Sequence, residues 1–209
     1  MISSRREGKE MAPKQNAAAD IGDTRRNIIK AAEGLFMEFG YRAISTRKIA
    51  DTCGLTQPAL YHHFPNKKSL YMEVVKNYLY EMQMGLERII KRHPELEDSL
   101  FRVIRYILMH QPKKLSQMFH DIEYEMTPDD QRMIHQSWSA AYQLPISSIF
   151  ERAAIEGTVK DPERLDTDPS SYTHMLMSML SHPLPEKMPL DHRAKLYTEV
   201  ILHGLSSKN

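Results

Sequence analysis

Residues 45–68 read STRKIADTCGLTQPALYHHFPNKK. Two short helical segments are expected within this stretch. The first opens at Thr46 as its N-cap, turns Ile49 and Ala50 inward and ends at Cys53-Gly54. The second opens at Thr56, whose hydroxyl can accept from a backbone N–H of the first turn. Pro58 is tolerated there, because the N–H it lacks has no helical partner at that position. Pro65-Asn66 breaks the second segment. Two short helices joined by a glycine-containing turn form a helix-turn-helix. Ile44, Ile49, Ala50, Leu55, Leu60 and Phe64 are the expected core that fixes the angle between them.

Working outward, the chain reads as helix on both sides. Upstream, Ile28, Ala32, Leu35, Phe36 and Phe39 recur at the spacing of one helical face. Asp23 or Thr24 is the expected cap and Gly40 the stop. Residues 1–22 are polar and non-periodic and are expected to be a disordered arm, with Met11 an alternative start. Downstream, a long helix over 67–92 carries Leu70, Val74, Tyr78, Met82, Leu86, Ile89 and Ile90. Pro94, Pro112, Pro128 and Pro169 punctuate the remainder. A helix of nearly thirty residues ends at Gly157 and should kink at Pro145. The last helix runs over about 190–205. There is no strand-period alternation, so the fold class is all-α with about nine helices: an arm (1–22), a three-helix head (23–68) and a helical body (69–209).

Composition sets bounds on function. The chain has 209 residues and a net charge of +1, from 28 basic and 27 acidic side chains. The single cysteine, Cys53, excludes an intrachain disulfide and a multi-cysteine zinc site. No stretch reaches the ~18 apolar residues of a membrane helix, and no secretory leader is legible, so a soluble cytoplasmic protein is expected. The near-zero total conceals an asymmetry. Residues 24–68 hold eight basic against three acidic side chains, a net of +5, whereas residues 69–209 hold sixteen against twenty. A basic head on an acidic body points to a polyanionic partner for the head.

The second short helix presents Gln57, Ala59, Tyr61, His62 and His63. Glutamine can bond bidentately to adenine, and a small alanine can meet a thymine methyl. Thr46, Arg47, Lys48, Lys67 and Lys68 offer hydroxyls and charges for phosphates. His62 and His63 are adjacent and point apart on a helix, so they do not form a metal site. His120 with Asp121, Glu123 and Glu125 reads as a solvated acidic face. No nucleophile–base pairing, phosphate loop or metal cluster is legible, so neither an enzyme nor a cofactor is expected.

The stretch FMEFGYRAISTRKIADTCGLTQPALYHHFPNKKSLY, residues 36–71, resembles the N-terminal domain of the tetracycline-repressor (TetR) family of transcriptional regulators. The matching positions are Phe36, Gly40-Tyr41, Thr46, Ile49-Ala50, Gly54-Leu55, Leu60-Tyr61, His63-Phe64, Lys67 and Leu70. Cys53, where alanine is usual, and Lys68, where an acid is common, depart from the pattern. The resemblance implies a homodimer that binds a palindromic double-stranded DNA operator and responds to a small, largely apolar effector. By carry-over, Thr46, Arg47, Thr56, Gln57, Pro58, Ala59, Tyr61, His62, His63, Lys67 and Lys68 would contact DNA. The effector would lie among Tyr78, Met82, Met109, Phe119, Trp138, Tyr142 and Met175. The last two helices would form the dimer interface through Tyr172, Leu176, Leu180, Leu196 and Val200. A dimeric protein-interaction adaptor with little specific DNA binding is the alternative.

Overall fold

The computed structural model describes residues 15–112, 115–181 and 187–205. The helices are α1 (Gln15–Phe39), α2 (Thr46–Thr52), α3 (Gln57–His63), α4 (Lys67–Arg92), α5 (Leu96–His110), α6 (Leu115–Glu125), α7 (Pro128–Trp138), α8 (Leu144–Ile155), α9 (Pro169–Ser181) and α10 (Leu190–Leu205). A π-helical turn, Ser139–Gln143, joins α7 to α8, and a 3₁₀ turn, Pro162–Leu165, lies between α8 and α9. Counting α7, the π turn and α8 as one rod gives the nine expected helices among the described residues. Those residues hold no strand, and none of their helices is long and apolar enough to cross a membrane.

The element boundaries follow local chemistry. Asn66 caps α4 by accepting from the Ser69 N–H at 2.8 Å, and the Ser69 hydroxyl accepts in turn from the Asn66 N–H at 3.3 Å. Thr127 and Asp130 form the same reciprocal box at the start of α7. Gly40, at φ 87°, ends α1 where an L side chain would be strained. Pro145 has no N–H to return to the preceding turn, and the irregularity expected there is a π turn just before it, with the Leu144 N–H reaching back to the Ser139 carbonyl.

Three expectations are corrected. α1 begins at Gln15, not at Asp23, so the second part of the expected arm is helical. Ala17, Ala18 and Ala19 are strong helix formers, which extends the helix past the candidate caps. Residues 1–14 of the arm lie outside the described residues, as does the break at 182–185. Phe39 is exposed, because the last residue of α1 reaches beyond the core that buries Ile28, Ala32 and Phe36. Asp121 is not on a solvated face; it is fully buried.

α4 is the central post. Leu70, Val74, Tyr78, Met82 and Leu86 are buried on it, each contributing about 1.5–3 kcal/mol if an aliphatic side chain. It packs against α1 on the head side and against α5, α7, the π turn and α8 in the body. α10 packs on α5, and α9 on α8. Head and body are also tied by polar contacts. Arg25 donates to Glu73 at 2.9 Å, the Tyr41 N–H donates to Asp121 at 2.7 Å, and Arg42 donates to Glu125 at 2.6 Å.

Candidate nucleic-acid interface and effector cavity

Three local devices aim α3. The N-cap of α2 is Ser45, not Thr46: Ser45 is extended (φ −92°, ψ 152°) and accepts from the Lys48 N–H at 3.1 Å. The turn after α2 is a Schellman motif. The Leu55 N–H bonds the Ala50 carbonyl at 2.9 Å and the Gly54 N–H the Asp51 carbonyl at 3.2 Å, with Gly54 at φ 67°. Thr56, as expected, caps α3 by accepting from the Ala59 N–H at 3.3 Å.

As the first residue of α2 rather than its cap, Thr46 does not commit its hydroxyl to capping. Gln57 donates to it at 3.0 Å, and the Tyr61 hydroxyl lies 3.2 Å away. The contacts with Thr46 and then Gln57 hold the Tyr61 phenol below its ordinary pKa. A connected patch of Thr46, Gln57 and Tyr61 is thereby pre-arranged on one surface. Arg47, Lys48, Thr56, Pro58 and His62 are exposed around it, and Ala59 and His63 are half-buried. Leu60 and Phe64, on the opposite side, are buried.

Lys67 and Lys68 do not join this surface. Lys68 Nζ pairs with Asp130 at 2.7 Å, and Lys67 Nζ lies 4.3 Å from the centroid of the Tyr41 ring. Burial lowers the Lys67 pKa, against the opposing pull of Asp121 and Glu125. Lys68 is spent on the head–body junction, where Asp130 of α7 comes within reach, and Lys67 sits over Tyr41 in the field of Asp121 and Glu125 of α6.

In the body, Phe119, Trp138 and Tyr142 line a cavity of about 220 Å³ together with residues of α5 and α9. Phe119 and Trp138 meet edge-on with ring centroids 4.9 Å apart, and Trp138 and Tyr142 are 4.3 Å apart. The other expected lining residues are elsewhere. Tyr78 backs the cavity: its hydroxyl is 2.7 Å from that of Tyr142, and burial pushes its pKa up to about 12. Tyr78 also borders a separate cleft of about 730 Å³ between α1, α4 and the end of α5. Met82 is sealed in the core. Met109 and Met175 are 50% and 58% exposed and face outward. On α9 the residues that reach the cavity are His174, Met177, Ser178, Leu180 and Ser181, one helical face away from Met175. Three expected dimer residues are also corrected. Tyr172, Leu176 and Leu180 are buried within the protomer, where Tyr172 meets Phe150 of α8 edge-on. Leu196 and Val200, 38% and 51% exposed, remain available on α10.

The sequence profile of bacterial regulatory proteins of the tetR family matches residues 28–74, which run from α1 through the helix-turn-helix into α4. Residues 28–74 therefore form a tetR-family domain. Its head is 30% identical over 69 residues to the HTH-type transcriptional activator FasR of Mycolicibacterium smegmatis, covering 33% of this chain and 32% of FasR. It is 40% identical over 55 residues to the HTH-type transcriptional repressor KstR2 of Rhodococcus jostii, covering 26% and 27%. The chain thus matches about a third or less of these curated relatives' length. The whole fold is shared with the TetR-family transcriptional regulator PfmR of Thermus thermophilus, at TM-score 0.68 and 23% identity, covering 86% of this chain and 98% of PfmR. In tetR-family terms, sequence similarity is concentrated in the head, and the cavity belongs to the body, where only the fold is shared.

Proposed function

We propose that this protein is a DNA-binding transcriptional regulator, a repressor that binds a palindromic operator as a homodimer and is released by a small effector. The observation that carries the reading is the α3 surface: Gln57, Pro58, Ala59, Tyr61, His62 and His63 on a short helix whose entry is fixed by two side-chain caps and a Schellman turn. Gln57 and Ala59 are of the types that read adenine and the thymine methyl in a major groove. Thr46, Arg47 and Thr56 would contact the flanking phosphates. The +5 charge of residues 24–68 supplies the attraction. Leu196 and Val200 on α10, and Met175 on α9, are exposed apolar side chains that a second copy would cover.

The effector would act through α6. One side of α6 supplies Phe119 to the cavity; the other supplies Asp121 and Glu125 to the Tyr41 N–H and Arg42 of the head. A molecule that displaces Phe119 moves the same helix that holds the turn between α1 and α2, and so biases the spacing of the two recognition helices.

Selection from random DNA tests the reading. A palindrome with half-sites about 34–36 Å apart is expected. Tyr61→Ala abolishes its binding. Arg47→Ala lowers the salt slope of log K by about two units in the dimer, one phosphate for each protomer. Failure to enrich any palindrome overturns the reading in favour of a protein-interaction adaptor.

A further inference from the structure

We propose that the body cavity takes an uncharged aromatic molecule of one ring or two fused rings that carries an N–H or O–H donor. The inference rests on reading this cavity as the effector site, and it specifies the chemistry of the occupant. Size comes first. A cavity of ~150 Å³ holds one benzene ring, and drug-sized ligands take ~300–1,000 Å³. At about 220 Å³ this half-open cavity lies between the two, which suits a fused bicycle.

The walls select for an aromatic. Phe119, Trp138 and Tyr142 present edges and faces at mutual centroid distances of 4.9 and 4.3 Å, the offset and tilted arrangements that aromatic rings favour with one another. The walls also select against charge. Among the described lining residues there is no Lys, Arg, Asp or Glu, so a carboxylate or ammonium would find no counter-ion among them to offset its desolvation. The phenol of Tyr142 is already engaged with Tyr78 and is held in its neutral form, its pKa raised by burial.

The polar rim then sets the donor. His174 Nδ1 lies 2.8 Å from the Ser170 carbonyl oxygen. A carbonyl can only accept, so Nδ1 carries the proton, and in the neutral ring Nε2 is an acceptor. Nε2 makes no other hydrogen bond among the described residues. A ligand N–H or O–H is its complement.

The test is calorimetric titration of the full-length protein with four probes: indole, 1-methylindole, indole-3-carboxylate and decanoate. Indole is expected to bind. 1-Methylindole, which lacks the donor, binds about tenfold more weakly, the worth of one hydrogen bond. Indole-3-carboxylate and decanoate bind at least about a hundredfold more weakly. Phe119→Trp narrows the cavity and weakens indole binding. His174→Phe keeps a ring on the rim but erases the preference for indole over 1-methylindole. Tighter binding of either carboxylate, or indole binding unchanged by Phe119→Trp, overturns the inference. Operator binding is measured separately: if indole binds as described but does not shift the protein–DNA complex, the effector reading fails while the ligand chemistry stands.

Discussion

Asp121 is a carboxylate with no exposed surface, and its two partners explain why it is tolerated. It accepts from the Tyr41 N–H at 2.7 Å and from Gln117 Nε2 at 2.9 Å. The Tyr41 N–H belongs to the turn just after Gly40, where α1 has ended and no helical carbonyl is available. Removing the acceptor strands a partly buried donor, which costs about 1–3 kcal/mol. Asp121→Ala should therefore lower the urea midpoint of unfolding, with the slope of the transition unchanged. Asp121→Asn keeps an oxygen for the Tyr41 N–H and should lose less. An alanine variant as stable as the parent would show that the turn is held by other means. The sequence around Asp121 gives no sign of this role. His120 and Glu123 share its short stretch, and the approach of a turn eighty positions earlier separates the buried acid from these exposed neighbours. Lys67 and Lys68 mislead in the opposite direction, since basic side chains beside a DNA-binding helix suggest phosphates until the carboxylates of α6 and α7 are placed next to them.

Elements were legible where the signal is local. The bounds of α4, α9 and α10 follow from Asn66, Asp168-Pro169 and the periodic apolar residues, because a cap, a proline or a glycine acts within one turn of itself. The helix-turn-helix was legible for the same reason, down to the cap on α3, though α2 is capped by Ser45 rather than Thr46. What the sequence leaves open is rotational. α9 carries methionines at 175, 177 and 179, and nothing in that run says which of them faces the cavity. The partition is set by α8, which takes Tyr172, Leu176 and Leu180 into the core and so turns Met177 toward the cavity and Met175 outward. The π turn is of this kind too: Pro145 predicts an irregularity, but not its form. A clean test at this scale is Gly54. Its φ is 67°, and a Cβ there would meet nothing within 4 Å, so substitution strains the backbone alone. Gly54→Ala should cost about 1–2 kcal/mol, read as a lower thermal midpoint. Gly54→Asn should cost less, since asparagine tolerates the left-handed region. Equal losses in the two variants would mean that the turn is limited by something other than this dihedral.

At the scale of the whole molecule, the basic head and acidic body are not merely adjacent; they exchange side chains. Arg42 and Lys68 of the head end on Glu125 and Asp130 of the body, so part of the +5 is neutralised internally, while Arg47 and Lys48 stay exposed beside α3. The Lys68–Asp130 pair gives this coupling a pH signature. The hydrogen bond from Lys68, then those from the Thr127 hydroxyl and N–H, hold Asp130 down to about 2, against about 3.9 for an unfolded aspartate. A carboxyl depressed on folding adds stability that is present above its unfolded value and is lost as pH falls through its folded value. The contribution should be intact at pH 6 and decline between about pH 4 and 2. Other acids titrate in the same window, Asp98 among them, its pKa lowered chiefly by Arg102. The informative quantity is therefore the difference between the parent and Asp130→Asn. That difference in urea midpoint should be constant above about pH 5 and shrink toward about pH 2. Lys68→Met should shrink it at every pH, because the amide and the carboxylate then face no cation. A difference that stayed flat from about pH 6 to about pH 2 would mean that the α4–α7 contact is held by the Thr127 cap alone and that the ion pair contributes nothing to joining head and body.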